Sequence, residues 1–201
     1  MKLNWAERWV VNNPTRVAEQ KIEMKWFKKT MSLAPGAEIL EIGCGRGAGA
    51  KLIRQAFRPA ALHAQDLDLA MIQRAKGYLK AADSKAISLS VADANRLPFK
   101  ALSLDAVFGF GVLHHIPDWQ TALGEIARVL KPGGVYFIEE LYPALYQNFI
   151  TKHIVLHPRY NRFFSPDLKA ALNQVDLYFK AALEFKPLGI LAVAIKGFST
   201  R

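Results

Sequence analysis

Short apolar runs alternate with helical stretches along most of this chain. Residues 39–43, 60–66, 86–91, 105–109 and 135–139 read as strands, compact aliphatic or aromatic runs bounded by Gly, Pro or Asp. Between them, residues 48–57, 69–81 and 119–130 have helical length, the last with Leu123, Ile126, Ala127 and Leu130 on one face. A further helix is predicted over 14–31, with Asn13 as its cap, Pro14 at its first position, and apolar residues at Val17, Ala18, Ile22, Trp26 and Met31. Pro35-Gly36 stops it, and two final strands are expected over 175–185 and 188–198. Strands alternating with helices of this length predict an α/β fold, a doubly wound, Rossmann-like parallel sheet covered on both faces. Ligands of such sheets lie beyond the carboxyl ends of the strands, where strand order reverses.

The first of those strand ends is the most unusual stretch of the chain. Residues 41–49 read EIGCGRGAG, with glycines at 43, 45, 47 and 49. A sharp strand-to-helix turn needs some of them, but four in seven positions also let a ligand approach the main chain. Read from Gly43, the stretch satisfies G-x-G-x-x-A, and Asp66 follows about twenty residues on, as a dinucleotide site requires. The glycines alone leave NAD and other adenosine cofactors open.

The other strand ends add to the picture. Glu41 stands two residues before the first glycine, where a carboxylate would repel a pyrophosphate but suit a cationic cofactor. Asp66 ends the second strand, in Gln65-Asp66-Leu67-Asp68, with Asp68 placed to cap the next helix. Asp93-Ala94 follows the third strand, Phe110-Gly-Val-Leu-His114-His115-Ile-Pro the fourth, and Lys131-Pro132-Gly133-Gly134 leads into the fifth. In this order and spacing, from about 34 to 140, the chain resembles the class I S-adenosylmethionine-dependent methyltransferases, in particular the small-molecule branch with the ubiquinone/menaquinone-type enzymes.

That resemblance implies a seven-stranded, mostly parallel sheet with an antiparallel last strand, and S-adenosyl-L-methionine as cofactor. It assigns the loop at Glu41, Gly43, Cys44, Gly45 and Gly47 to the methionine part. Asp66 falls to the ribose, and Leu67 and Phe110 to apolar walls. Asp93 and the backbone of Ala94 fall to the adenine edge. His114 and His115 become candidate proton acceptors for an in-line methyl transfer, with Glu139 and Glu140 as alternative polar groups. No residue is assigned to a metal. Residues 1–33 would form a helical cap, 34–140 the cofactor-binding core, 141–166 an acceptor-side insertion, and 167–201 a helix and strand pair completing the sheet. An NAD-linked oxidoreductase and a non-catalytic cofactor-binding protein remain the alternatives.

Charge and composition refine the acceptor and compartment. The chain of 201 residues is 51% apolar and carries a net charge of +10, its excess of Lys and Arg lying in the two flanks around a balanced middle. Amine methyltransferases acting on nucleic-acid bases place an Asn/Asp-Pro-Pro-Tyr/Phe run after the fourth strand. Phe110-Gly-Val-Leu-His114 departs from it, so a nucleic-acid substrate is not expected. Residues 141–166 interleave Tyr142, Tyr146, Phe149, Tyr160, Phe163 and Phe164 with Lys152, Arg159 and Arg162, a mixture that suits an apolar or anionic small-molecule acceptor, or peripheral contact with an anionic membrane. One cysteine, Cys44, excludes an internal disulfide. The N-terminus shows no apolar signal region, and the apolar run 188–195 is far short of the roughly 20 residues of a spanning helix. A cytoplasmic location is therefore expected.

Overall fold

The structure, a computed structural model, describes residues 13–80, 83, 85–146 and 161–198. Residues 1–12 of the expected cap and 147–160 of the expected insertion, with Phe149, Lys152, Arg159 and Tyr160, lie outside the described residues.

The strands form one seven-stranded sheet in the order β3-β2-β1-β4-β5-β7-β6. They are β1 (Glu38–Ile42), β2 (Ala61–Asp66), β3 (Ile87–Val91), β4 (Leu104–Phe110), β5 (Leu130–Leu141), β6 (Leu177–Phe185) and β7 (Gly189–Lys196). β1 to β5 are parallel, while β7 runs antiparallel to both β5 and β6. The expected doubly wound sheet with an antiparallel last strand is the observed one. β5 starts earlier than the sequence suggests: Leu130 pairs with Leu104 and Val135 with Ala106, so Lys131-Pro132-Gly133-Gly134 bulges out opposite Asp105. Lys131 Nζ donates to Asp105 Oδ1 at 2.8 Å and ties the bulge down.

Period-two alternation splits the apolar side chains into two cores, one per sheet face. α1 (Pro14–Thr30), α2 (Ala48–Phe57) and α3 (Leu69–Tyr78) cover one, packing Met24, Phe27, Ile53 and Ile72 on Ile39, Leu62, Phe108 and Phe137. α4 (Trp119–Val129) and, beyond the one-turn α5 (Pro143–Tyr146), α6 (Ser165–Gln174) cover the other, packing Leu123, Ile126, Leu168 and Leu172 on Leu40, Val107, Tyr136 and Ile138. Asn13 Oδ1 accepts from Thr15 N and Asp68 Oδ1 from Ala70 N, so both helix caps read from the sequence are present.

α1 corrects one expectation. Its inward face is Arg16, Gln20, Glu23, Met24 and Phe27, whereas Ile22 is 70% exposed. Phe27 is fully buried among Phe108, Phe110 and Phe137, with ring centroids 5.2–6.1 Å away, and this sets the rotation of the helix. Of the expected apolar positions, Trp26 and Met31 pack against this core, while Ala18 and Ile22 are exposed because the inward face above Phe27 is polar.

Candidate functional site

The chain runs from β1 outward to β3, then returns to β4 on the other side of β1, so strand order reverses between β1 and β4. A cavity of about 280 Å³ opens there. Its walls are the residues that follow β1, β2, β3 and β4, joined by Arg16 and Gln20 of α1. Among the sequence-derived cofactor residues, Glu41, Gly43, Cys44, Gly45, Asp66, Leu67, Asp93, Ala94 and Phe110 all line it. Gly47 does not: at φ +83° it turns the chain into α2, and its missing Cβ leaves room for Ala75 of α3 and for Leu79 just after it.

Glu41 is nearly fully buried, and its Oε2 has no hydrogen-bond partner among the described residues. Burial drives its pKa well up, opposed by a backbone hydrogen bond from Ala50 and assisted by the nearby charge of Asp66. The room for this side chain comes from Gly49, where a Cβ would stand 2.0 Å from Glu41 Oε1. Asp66 Oδ2 accepts from Gly45 N and Oδ1 from Asp68 N, both at 2.9 Å. Burial raises the Asp66 pKa although both backbone hydrogen bonds oppose it. An ionised carboxylate has about four acceptor sites, so two remain for a ligand. Gly45 takes φ +53°, and the space its Cβ would fill is open. Asp93 Oδ1 accepts from Asn95 N at 2.9 Å, which fixes the turn after β3. The buried Cys44 thiol is pushed up by desolvation and by Glu41 and Asp66, so it stays protonated and serves as wall.

The two histidines part company. His115 lines the cavity. His114 does not; it is buried, and its Nδ1 donates to Glu140 Oε2 at 2.7 Å. Glu140 also accepts from the backbone N–H groups of Val112, Leu113 and His114 at 2.7–3.2 Å. This single carboxylate therefore holds the 3₁₀ turn Leu113–His115 that presents His115. Asn161 and Arg162 brace the same loop from outside: Asn161 Nδ2 donates to Pro117 O and Arg162 Nη1 to His114 O. Glu139, one residue earlier on β5, points to the opposite sheet face and meets α1, where Arg16 Nη2 reaches its Oε2 at 2.5 Å. Arg16 Nη1 also donates to Glu23 Oε1 at 2.8 Å. Neither Glu139 nor Glu140 lines the cavity.

The aromatic segment divides similarly. Tyr142 and Phe163 are core residues, at 1% and 3% exposure, and Phe164 is 47% exposed.

A family model described as a methyltransferase domain matches residues 40–138, which contain every strand end around this cavity. Over these residues the chain belongs to the S-adenosylmethionine-dependent methyltransferases. It is 31% identical over 159 residues to a demethylmenaquinone methyltransferase of Listeria welshimeri, covering 74% of this chain and 66% of that one. A fatty-acid O-methyltransferase of Mycolicibacterium smegmatis is 34% identical over 108 residues, 54% of this chain and 38% of the relative. The chain thus spans about two fifths of the length of the first curated relatives it matches. In fold it superposes on a SAM-dependent methyltransferase from Aquifex aeolicus with a TM-score of 0.75 at 16% identity, over 96% of this chain and 99% of the other.

The residues of this chain fit S-adenosylmethionine, the cofactor of that family. An unpaired buried carboxylate oxygen at Glu41 suits an ammonium, the spare acceptor sites of Asp66 suit vicinal hydroxyls, and the bare backbone at Gly45 admits close approach. Three carboxylates lining one cavity disfavour a pyrophosphate, because its two arginines are engaged elsewhere: Arg16 by Glu139 and Glu23, and Arg46 over the Tyr78 ring at 5.0 Å. Sequence reasoning missed Arg16, Gln20, Asn95, Val112, Ile116 and Pro117. The last three follow β4, where the strand-end rule pointed. Arg16 and Gln20 had no local signal, since the partner that orients Arg16 lies 123 residues away.

Proposed function

We propose that this chain transfers the methyl group of S-adenosylmethionine to an apolar small-molecule acceptor of quinone or lipid type. The observation that carries the reading is the convergence of Glu41, Gly45, Asp66, Asp93 and Phe110 on one cavity at the β1/β4 switch point. Glu41 would hold the ammonium, Asp66 the ribose hydroxyls, Asp93 and the Ala94 backbone the adenine edge, and Leu67 and Phe110 the apolar faces. When bound, the cofactor supplies an already electrophilic methyl group, so the protein contributes alignment, exclusion of water and proton removal.

The acceptor side is the loop after β4. Val112, Ile116 and Pro117 give it an apolar wall, and His115 is its titratable group. We assign proton removal to His115 and orientation of its loop to Glu140. The apolar wall and the names of the relatives, which act on fatty acid and demethylmenaquinone, support the acceptor class. The basic flanks suit a protein that meets such acceptors at an anionic membrane surface.

Transfer of labelled methyl from the donor to fractionated cell extract tests both assignments in wild type and His115→Gln. Label is expected in an apolar fraction with wild type, at a lower turnover with the variant. Absence of label in every fraction, in a protein that binds the donor, would mark a non-catalytic binding protein. Equal turnover by the variant would remove His115 from the chemistry.

A further inference from the structure

α1 lies outside the segment that matches the family model, yet two of its residues enter the cavity wall. Arg16 and Gln20 are four residues apart and so share one helix face. Phe27 fixes the helix rotation among three other rings, and the Arg16–Glu139 ion pair fixes the first turn to β5. Gln20 is 8% exposed, and its Oε1 has no hydrogen-bond partner among the described residues. A buried amide oxygen left unpaired is destabilising, and a leucine of similar size would not carry that cost.

The alternation of β1 says what this oxygen faces. Ile39 packs in the core under α1, so Glu41, two residues on, projects to the α1 side. Its Oε2 is an unpaired acceptor in the same cavity and on the same sheet face, whereas the unpaired Asn95 Oδ1 belongs to the turn after β3. Gln65 also lacks partners, but Leu62 and Ala64 occupy the α1 side of β2, so Gln65 points to the opposite face. Two acceptors from two elements, one a carboxyl and one an amide oxygen, match a group with several N–H donors and a positive charge.

We infer that Gln20 is a donor-binding residue: its Oε1, together with Glu41 Oε2, accepts from the ammonium of the cofactor's amino-acid end, making α1 the third wall of that subsite. This rests on the donor-site reading above.

Calorimetry on the full chain with two ligands tests it, in wild type and Gln20→Leu. S-Adenosylhomocysteine carries the amino-acid end, whereas 5′-methylthioadenosine keeps the adenosyl thioether and lacks it. The variant is expected to bind S-adenosylhomocysteine about tenfold more weakly and 5′-methylthioadenosine as wild type does, with a ligand-free melting temperature equal or higher. Unchanged affinity for S-adenosylhomocysteine, or an equal loss for both ligands, would overturn the assignment. Failure of the wild type to bind either ligand would overturn the donor-site reading itself, and this inference with it.

Discussion

The cavity has two walls built in different ways. The strand-end wall is made of backbone and short-range chemistry: glycines that clear space, Asp66 accepting from Gly45 N and Asp68 N, and Asp93 capping its own turn. The helical wall is made of long-range side-chain contacts, with Arg16 shared between Glu23 on its own helix and Glu139 on β5. The first rests on hydrogen bonds that span at most 21 residues of sequence. The second exists only after the sheet is complete. Local geometry can thus be prepared for a ligand while the wall that closes over it depends on global packing.

The sharpest way to break this contrast is at Phe27, which anchors the helical wall. Phe27→Ala should cost about 3–5 kcal/mol of stability, read by chemical denaturation. A cost near zero would show that α1 is not integral to the core.

Next in size is Asp66, the key of the strand-end wall. Asp66→Ala should weaken S-adenosylhomocysteine binding about 100-fold by calorimetry, since a charged acceptor is lost where two backbone donors also depend on it. Binding as tight as wild type, or tighter binding of NAD than of S-adenosylhomocysteine by the unmodified protein, would contradict the cofactor fit.

The smallest effect tests the electrostatics of the helical wall. Burial pushes the Glu23 carboxyl from 4.5 up to about 7, with Glu139 adding to the rise and Arg16 opposing it. The fold therefore binds this proton more tightly than the unfolded chain does. Its contribution is complete below about pH 4.5 and is lost as pH rises through about 7. Glu23→Gln should flatten that decline, by about 1–2 kcal/mol between pH 5 and 8 in thermal melts. Parallel stability curves for the two proteins would mean that Glu23 titrates normally.

The same contrast explains what could be read in the sequence. Strands β1 and β4, the later part of β5 and the loop 41–49 were legible because continuous apolar runs and glycine spacing are local signals. Asp66 and Asp93 were legible because strand ends carry ligands in this class of sheet. The inward face of α1 was not, because Arg16, Gln20 and Glu23 look like a solvated surface until Glu139 is placed beneath them. His114 and His115 were indistinguishable as neighbours in the chain. Only the Glu140 carboxylate, buried across the sheet, turns one inward and leaves the other at the cavity.

Glu139 and Glu140 make strand β5 a beam with a fixture on each side, one for the N-terminal helix and one for the loop after β4. A single residue inserted or deleted ahead of them would swap the sides on which these fixtures stand. Both fastenings would come undone together, although neither carboxylate had changed identity. Drift in the length of this strand is thus barred more firmly than drift in its composition.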